Sequence, residues 1–232
     1  MRISGKIFII FAIIIFFIIL ISTVPLPTES YVTGTKIKLP EPRLEGEMSV
    51  EEALLKRRSI RDFLNKPIPL DFLSQILWAA QGITSESGGR TAPSAGALYP
   101  LEIYIQVRKV EELKEGVYHY NLKSHSLDLI KEGDFSSQLT KAGLSQEWIK
   151  DASLNLIVTA DFSRTTRKYG ERGIRYVYME AGHCGQNIYL QTTVLGLGNV
   201  VIGAFNNEDV KNVLSIPKNH EPIYIIPIGV PS

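Results

Sequence analysis

Residues Ile7 to Thr28 form a run of 22 residues without a single charge. Its centre, IFIIFAIIIFFIILI, is almost pure isoleucine and phenylalanine. A helix buried in a water-soluble core would carry a polar stripe, and this run has none. About 20 apolar residues span a bilayer as a helix, so the run predicts a single-pass anchor over residues 1–24. The rival is a cleaved signal peptide, whose apolar stretch is usually shorter, about 7 to 15 residues, and ends at small residues. Ser22-Thr23-Val24-Pro25 makes a poor cleavage site. Arg2 and Lys6 precede the run, and no basic residue follows it before Lys36. The positive-inside bias then places the amino terminus in the cytoplasm and the remaining chain on the extracytoplasmic side.

The rest of the chain is built differently. Taking Arg2 and Lys6 from 25 basic residues leaves 23 against 24 acidic ones, a net charge of −1. That balance gives no basic excess for nucleic acid. A single cysteine, Cys184, excludes an internal disulfide framework, and four scattered histidines point to no metal site. Residues 25–47 contain Pro25, Pro27, Pro40 and Pro42 and read as an extended tether. A folded domain is expected over residues 48–232.

Ser49 followed by Glu51 and Glu52 marks a helix start, running to about Lys56. Leu73, Ile76, Leu77 and Ala80 recur at helical spacing, and Gly82 stops that helix. A polar loop spans Thr84 to Gly96. Ile103, Ile105 and Val107 alternate as in a strand, Val117–Asn121 and Ser126–Ile130 suit a hairpin around Lys123-Ser124, and Asn155–Ala160 suits a short strand. The longest periodic segment is Ile174 to Leu195, with Ile174, Val177, Tyr178, Ala181, Cys184, Ile188 and Thr192 along one face. Gly182 and Gly185 within it suit a close helix neighbour, including one from another subunit. Val200–Ile202 and Ile223–Ile228 are strand-like, and Asn207 caps a helix reaching Leu214. Helices alternate irregularly with hairpin-like pairs, which predicts a three-layer α+β domain rather than a doubly wound sheet.

Four segments carry residues suited to chemistry. In Arg57-Arg58-Ser59-Ile60-Arg61, an extended backbone would turn Arg57, Ser59 and Arg61 to one side, a good grip for a phosphate. The alternative is a solvated basic patch at a helix end. In Arg90 to Pro100, Pro93, Ser94, Ala95 and Gly96 would let the backbone approach a flat ligand, unless this is an ordinary loop. Gly196 to Phe205 is not a dinucleotide fingerprint, because the third glycine position holds Val201 and the run follows a helix. A helix cap at Gly196 or Gly198 explains it equally well. Arg164 to Arg172 reads as a polar loop that could bring Lys168 or Tyr169 to a substrate as proton acceptor or donor, or as a charged surface loop.

Together these segments resemble the nitroreductase superfamily of FMN-dependent oxidoreductases, and within it the SagB-type (thiazole/oxazole dehydrogenase-like) branch. The matching pieces are RRSIRDF at 57–63, TAPSAGALYPLEIY at 91–104, RKYGERGIRYVYMEAGHCGQNIYLQ at 167–191 and GLGNVVIGAF at 196–205, in the family's order. The resemblance implies a nitroreductase-like three-layer fold with a mixed central sheet flanked by helices, a homodimer, and FMN at its interface. It implies that Arg57, Ser59 and Arg61, in the cluster with Arg58, hold the FMN phosphate. It implies that Pro93, Ser94, Ala95 and Gly96 line the flavin ring and that Gly203 and Ala204 lie near its reactive edge. Lys168-Tyr169 falls at the Lys-Tyr pair that promotes proton removal in azoline oxidases of the branch. The final strand runs out as Ile228-Gly229-Val230-Pro231-Ser232, without the basic residue many members place there. Either the phosphate is held more weakly or another basic side chain substitutes.

The expected activity is hydride transfer between a small-molecule or peptide substrate and the flavin, with NAD(P)H or another electron donor. An extracytoplasmic domain is separated from NAD(P)H and ATP, which favours a membrane-side electron carrier or an imported substrate. The alternatives are a membrane-tethered flavin-binding carrier or sensor without turnover, and an interaction module whose basic cluster is only surface.

Overall fold

The computed structural model describes residues 35–232; the anchor expected over residues 1–24 lies outside the described residues. Among the described residues no helix is long and apolar enough to cross a membrane. The stretch expected as a tether joins the fold from residue 36 onward. Strand β1 (Lys36–Lys38) pairs with β5 (Ser126–Glu132), placing Ile37 opposite Leu127. Leu39 is buried, and the Arg43 N–H donates to Gln75 Oε1 at 2.8 Å. Backbone pairing at a sheet edge and one apolar seat thus override the proline-rich composition.

Helix α1 (Val50–Lys56) starts where the sequence places it, with Ser49 Oγ accepting the Glu52 N–H at 3.1 Å. After the short strand β2 (Phe63–Leu64), helix α2 (Leu70–Gln81) buries Leu73, Ile76, Leu77 and Ala80 and ends at Gly82. Strands β3 (Leu101–Val107) and β4 (Gly116–Asn121) lead into β5 as a meander. Helices α3 (Ser136–Ala142) and α4 (Trp148–Asp151) precede β6 (Leu154–Ala160). Helix α5 (Phe162–Tyr169) and the long α6 (Arg172–Val194) follow, then β7 (Gly198–Asn199), α7 (Asn207–Leu214) and β8 (Glu221–Pro231).

The strand order is β1-β5-β4-β3-β6-β8-β2, with β7 beside β8. Every pairing between these strands is antiparallel, which corrects the expected mixed sheet. Parallel contact among the described residues is confined to the single bridges Ser59–Asn199 and Ile68–Val110. Strand direction depends on how many times the chain reverses between neighbours, and no local pattern encodes that. The three layers are as expected. Along β3, Ile103, Ile105 and Val107 share a core with Leu73 and Ile76 of α2 and with Val177 and Ala181 of α6. Tyr104 packs instead with Leu139 of α3 and Val210 and Leu214 of α7.

Helix α6 buries Val177, Ala181, Cys184, Ile188 and Thr192, as its period predicts. Ile174 and Tyr178, expected on the same face, are 43% and 54% exposed. Tyr178 packs edge-on to Phe162 of α5, 5.4 Å between ring centres, rather than entering the core. The 164–172 segment, read as a loop, is largely helix α5. Asp161 caps it by accepting the Ser163 N–H at 3.0 Å, and Gly170, at φ 57°, ends it. Only Thr165 of this helix is buried, so no apolar stripe announced it. Two boundaries also move: Asn206, not Asn207, caps α7, and of the expected 200–202 strand only Ile202 makes a bridge, to Ile225.

Candidate functional site

The basic cluster after α1 is extended where it leaves the helix, with Arg57 at φ −53° and ψ 126°. The Arg57 guanidinium lies 4.9 Å from the centre of the Tyr189 ring, and Ser59 Oγ is 2.9 Å from the Tyr189 hydroxyl. That hydroxyl accepts the Val201 N–H at 3.0 Å, and Ile60 N–H donates to the Asn199 carbonyl at 2.8 Å. The first and third sequence segments are therefore joined through one tyrosine of α6. Arg61 rests on a different ring, that of Trp148, at 5.6 Å. Arg58 turns back onto the helix end, donating to the carbonyls of Leu55 at 2.9 Å and of Arg57 at 2.7 Å. Arg58, Ser59 and Arg61 are exposed and Arg57 is half-buried. Gly203 and Ala204 are exposed too, and the Ala204 carbonyl accepts from Gln146 Nε2 at 2.9 Å.

The second and fourth segments also meet. Gly96 sits at φ 63°, a left-handed conformation that suits glycine. A Cβ there would stand 2.6 Å from the Tyr169 hydroxyl oxygen and 2.9 Å from Lys168 Nζ. Both polar tips therefore lie over the bare backbone of the loop. Ser94 Oγ accepts the Tyr99 N–H at 2.9 Å, which closes the turn around Ala95 and Gly96. Pro93 is exposed, and Ser94 and Ala95 are half-buried. Arg164, one helical turn before Lys168, donates to the Tyr99 carbonyl at 3.1 Å and to Glu102 Oε1 at 2.5 Å. His119 Nε2 lies 2.8 Å from the other Glu102 oxygen. Burial alone would raise the Glu102 pKa, but its hydrogen bonds to His119 and Arg164, with the charge of both, hold it at about 2. The helix carrying Lys168 and Tyr169 is thereby fastened to the loop it faces.

Behind the loop, α6 supplies a second buried acid. Glu180 is 2% exposed, hydrogen-bonds Ser94, and leaves Oε1 without a partner. Burial raises its pKa to about 7, although Ser94 and the charge of Arg90 act against that rise. One turn on, burial pushes the Cys184 thiol up to about 12, so it stays protonated and is no nucleophile. Asn187 Nδ2 donates to the carbonyls of Ala79, at 3.0 Å, and Thr91, at 3.2 Å. Helix α6 thus holds both halves of the site. Glu180 and Asn187 support the loop, and Tyr189 supports the basic cluster, about 13 Å further along the axis than Glu180.

The family model described as the nitroreductase family matches residues 54–230. The chain belongs to the nitroreductase family. It is 45% identical over 196 residues to a candidate nitroreductase of Methanocaldococcus jannaschii, covering 84% of this chain and 98% of that protein. A candidate nitroreductase from Anabaena variabilis superposes with a TM-score of 0.76 at 30% identity, over 85% of this chain and 42% of that one. The microcin B17-processing protein McbC of Escherichia coli is 29% identical over 132 residues, 55% of this chain and 48% of that protein. This nitroreductase-family oxidoreductase therefore has relatives of the microcin-processing type, and it spans less than half the length of the last two.

Several residues of this family member's site escaped the sequence reading. Tyr189 meets Ser59 across 130 positions, and Arg164 meets Glu102 across 62. Glu180 offered one clue, a lone acid on the predicted buried side of α6.

Proposed function

We propose that this nitroreductase-family chain is an FMN-dependent oxidoreductase of the SagB- and McbC-like kind, acting on a small molecule or peptide. The observation that carries the reading is the convergence of Lys168 and Tyr169 over Gly96. Two polar tips able to move a proton meet at the exposed, side-chain-free Gly96, beside a loop a flat ring can approach closely. FMN, when bound, supplies a two-electron acceptor and donor of hydride.

The residues present fit that group at both ends. Arg57 and Arg61 rest on aromatic rings, and neither is in an ion pair among the described residues, so two guanidinium forks remain available for a dianionic phosphate. Ser59 adds a hydroxyl beside them. Arg58 is committed to helix-end carbonyls, so its part is to fix the direction in which Arg57 leaves α1. The stretch Pro93 to Gly96 would line the ring, and the open backbone of Gly203 and Ala204 would border its reactive edge. Lys168 Nζ or the Tyr169 hydroxyl takes the proton as hydride leaves a substrate carbon, or returns it in the reverse direction. Arg164 and Glu102 keep that pair over the loop.

The proposal extends to a homodimer, to NAD(P)H or a membrane-side carrier as electron donor, and to anchoring through residues 1–24 with the domain outside the cytoplasm. The deciding experiment is a visible spectrum of the purified chain followed by anaerobic titration with NADH and NADPH. Flavin absorbance near 450 nm that bleaches with either donor supports the reading. A folded protein that neither carries nor takes up FMN overturns it. Arg57→Ala with Arg61→Ala is expected to give folded, colourless protein, and full FMN occupancy in that variant would remove the phosphate assignment.

A further inference from the structure

A recess lies beside the 91–99 loop; it shares Arg164 and Glu102 with the proposed site but none of the residues assigned to FMN. It is a cleft of about 370 Å³ between the end of α2, the start of β3, the β4–β5 turn and Arg164. That volume is toward the lower end of the range for small-molecule sites, roughly 300 to 1,000 Å³. Its charge is one-sided. Arg90, Lys123 and Arg164 line it against the single carboxylate of Glu102, with His119 alongside. Glu102 is already engaged by Arg164 and His119.

Arg90 is the unusual member. It is half-buried, yet its guanidinium donates to the neutral Gln81 Oε1 at 2.8 Å and stacks on the Tyr99 ring at 4.1 Å. Glu180 and Glu102 attract it from a distance, and neither forms an ion pair with it. A guanidinium carries five donors, and a charge withdrawn from water is ordinarily paired. Burial therefore disfavours this cation, and the two carboxylates offset that only from a distance, without an ion pair. Leu101, Ile103 and Leu122 supply apolar wall to the same cleft.

We propose that this cleft binds a small organic carboxylate, with the acid group on the Arg90 fork and the apolar remainder against Leu101 and Leu122. Lys123, exposed at the turn, adds attraction at the mouth. The guanidinium fork matches a carboxylate in two parallel hydrogen bonds. Tyr99 connects the cleft to the proposed active site, since Arg90 stacks on its ring and Arg164 holds its carbonyl. A bound acid would therefore abut the loop whose Gly96 faces Lys168 and Tyr169, as a carboxylate-bearing substrate would. Assigning the acid to the substrate rests on the flavin reading; its binding does not.

Calorimetry on the full-length chain, with and without added FMN, tests this with benzoate, its neutral isostere benzamide, and inorganic phosphate as probes. Benzoate is expected to bind saturably, and benzamide about tenfold more weakly or worse, the worth of one charge-assisted contact. Arg90→Gln is expected to cost benzoate roughly tenfold or more in affinity. Lys123→Glu, on an exposed turn, leaves the fold intact and is expected to weaken benzoate about threefold or more. Equal binding of benzoate and benzamide, preference for phosphate over benzoate, or unchanged affinity in both variants would each overturn the proposal. Benzoate binding in a protein that never takes up FMN would uphold the carboxylate site and sink the flavin reading instead.

Discussion

Gly96 is the residue on which the proposed chemistry is most exposed to a single change. Its φ of 63° costs an alanine about 1–2 kcal/mol, and a methyl group would collide with Tyr169 and Lys168. On the proposed function, Gly96→Ala is expected to fold, to keep its flavin, and to lose roughly 10- to 100-fold in turnover as Lys168 and Tyr169 are displaced. Retained flavin absorbance with unchanged turnover would show that this pair does not act there. Glu180 makes a different prediction, about pH. Its folded pKa of about 7 lies above the 4.5 of a free glutamate, so the folded chain binds the extra proton between those values. Its contribution to stability is full below pH 4.5 and is lost as pH rises through 7, on the order of 3 kcal/mol in all. Ser94, Arg90 and Cys184 are the groups it faces. Glu180→Gln is expected to flatten the fall in melting temperature between pH 5 and pH 8, and a wild-type curve already flat over that range would contradict the assignment.

Helix α5 is the element that turns two sequence segments into one site, and Arg164 is its fastening. Arg164→Ala removes the donor to the Tyr99 carbonyl and leaves Glu102, whose side chain is 18% exposed, with His119 alone. Turnover is expected to fall while flavin binding persists, with a stability loss of about 2 kcal/mol, below that of a fully buried pair. The sign of the acid response follows from Glu102. Its pKa of about 2 means that its stabilisation is present above pH 4.5 and lost as pH falls toward 2. Thermal melts of wild type at pH 3 and pH 7 should therefore differ by more than those of Arg164→Ala. The sequence left this element unread for a physical reason. Periodicity reports burial, and α6 was legible because Val177, Ala181, Cys184 and Ile188 repeat toward the core. Helix α5 buries only Thr165, so its polar residues resemble a loop, although Asp161 and Gly170 marked its ends. Strand β1 was hidden likewise, since Lys-Ile-Lys at a sheet edge differs little from a tether.

At the scale of the whole molecule, the α+β class and the three layers were readable, because strand alternation and helix period are local. The antiparallel directions were not, and neither was the meeting of Ser59 with Tyr189, because both depend on where distant segments come to rest. The site itself was half legible: residue types suited to phosphate and proton chemistry stood out, but the α6 residues that position them did not. What the fold leaves uncovered bears on the proposed dimer. Val50, Leu54 and Leu55 of α1 are 65%, 52% and 73% exposed, and Ile174, Tyr178 and Met179 of α6 are 43%, 54% and 53% exposed. Helices α1 and α6 pack against each other, so these side chains lie on adjoining elements. Soluble monomers seldom display large apolar groups this densely, and such faces usually meet a partner. Leu54 and Leu55 closely precede Arg57 at the end of α1, so the α1 part of the uncovered surface adjoins the proposed phosphate grip. Placing charges there with Leu55→Glu and Tyr178→Glu is expected to yield a monomer by sedimentation and to weaken FMN binding about tenfold or more, with Lys168 and Tyr169 intact. A folded monomer that binds FMN as tightly as wild type would show that the flavin site is complete within one copy, and the interfacial site would have to be abandoned.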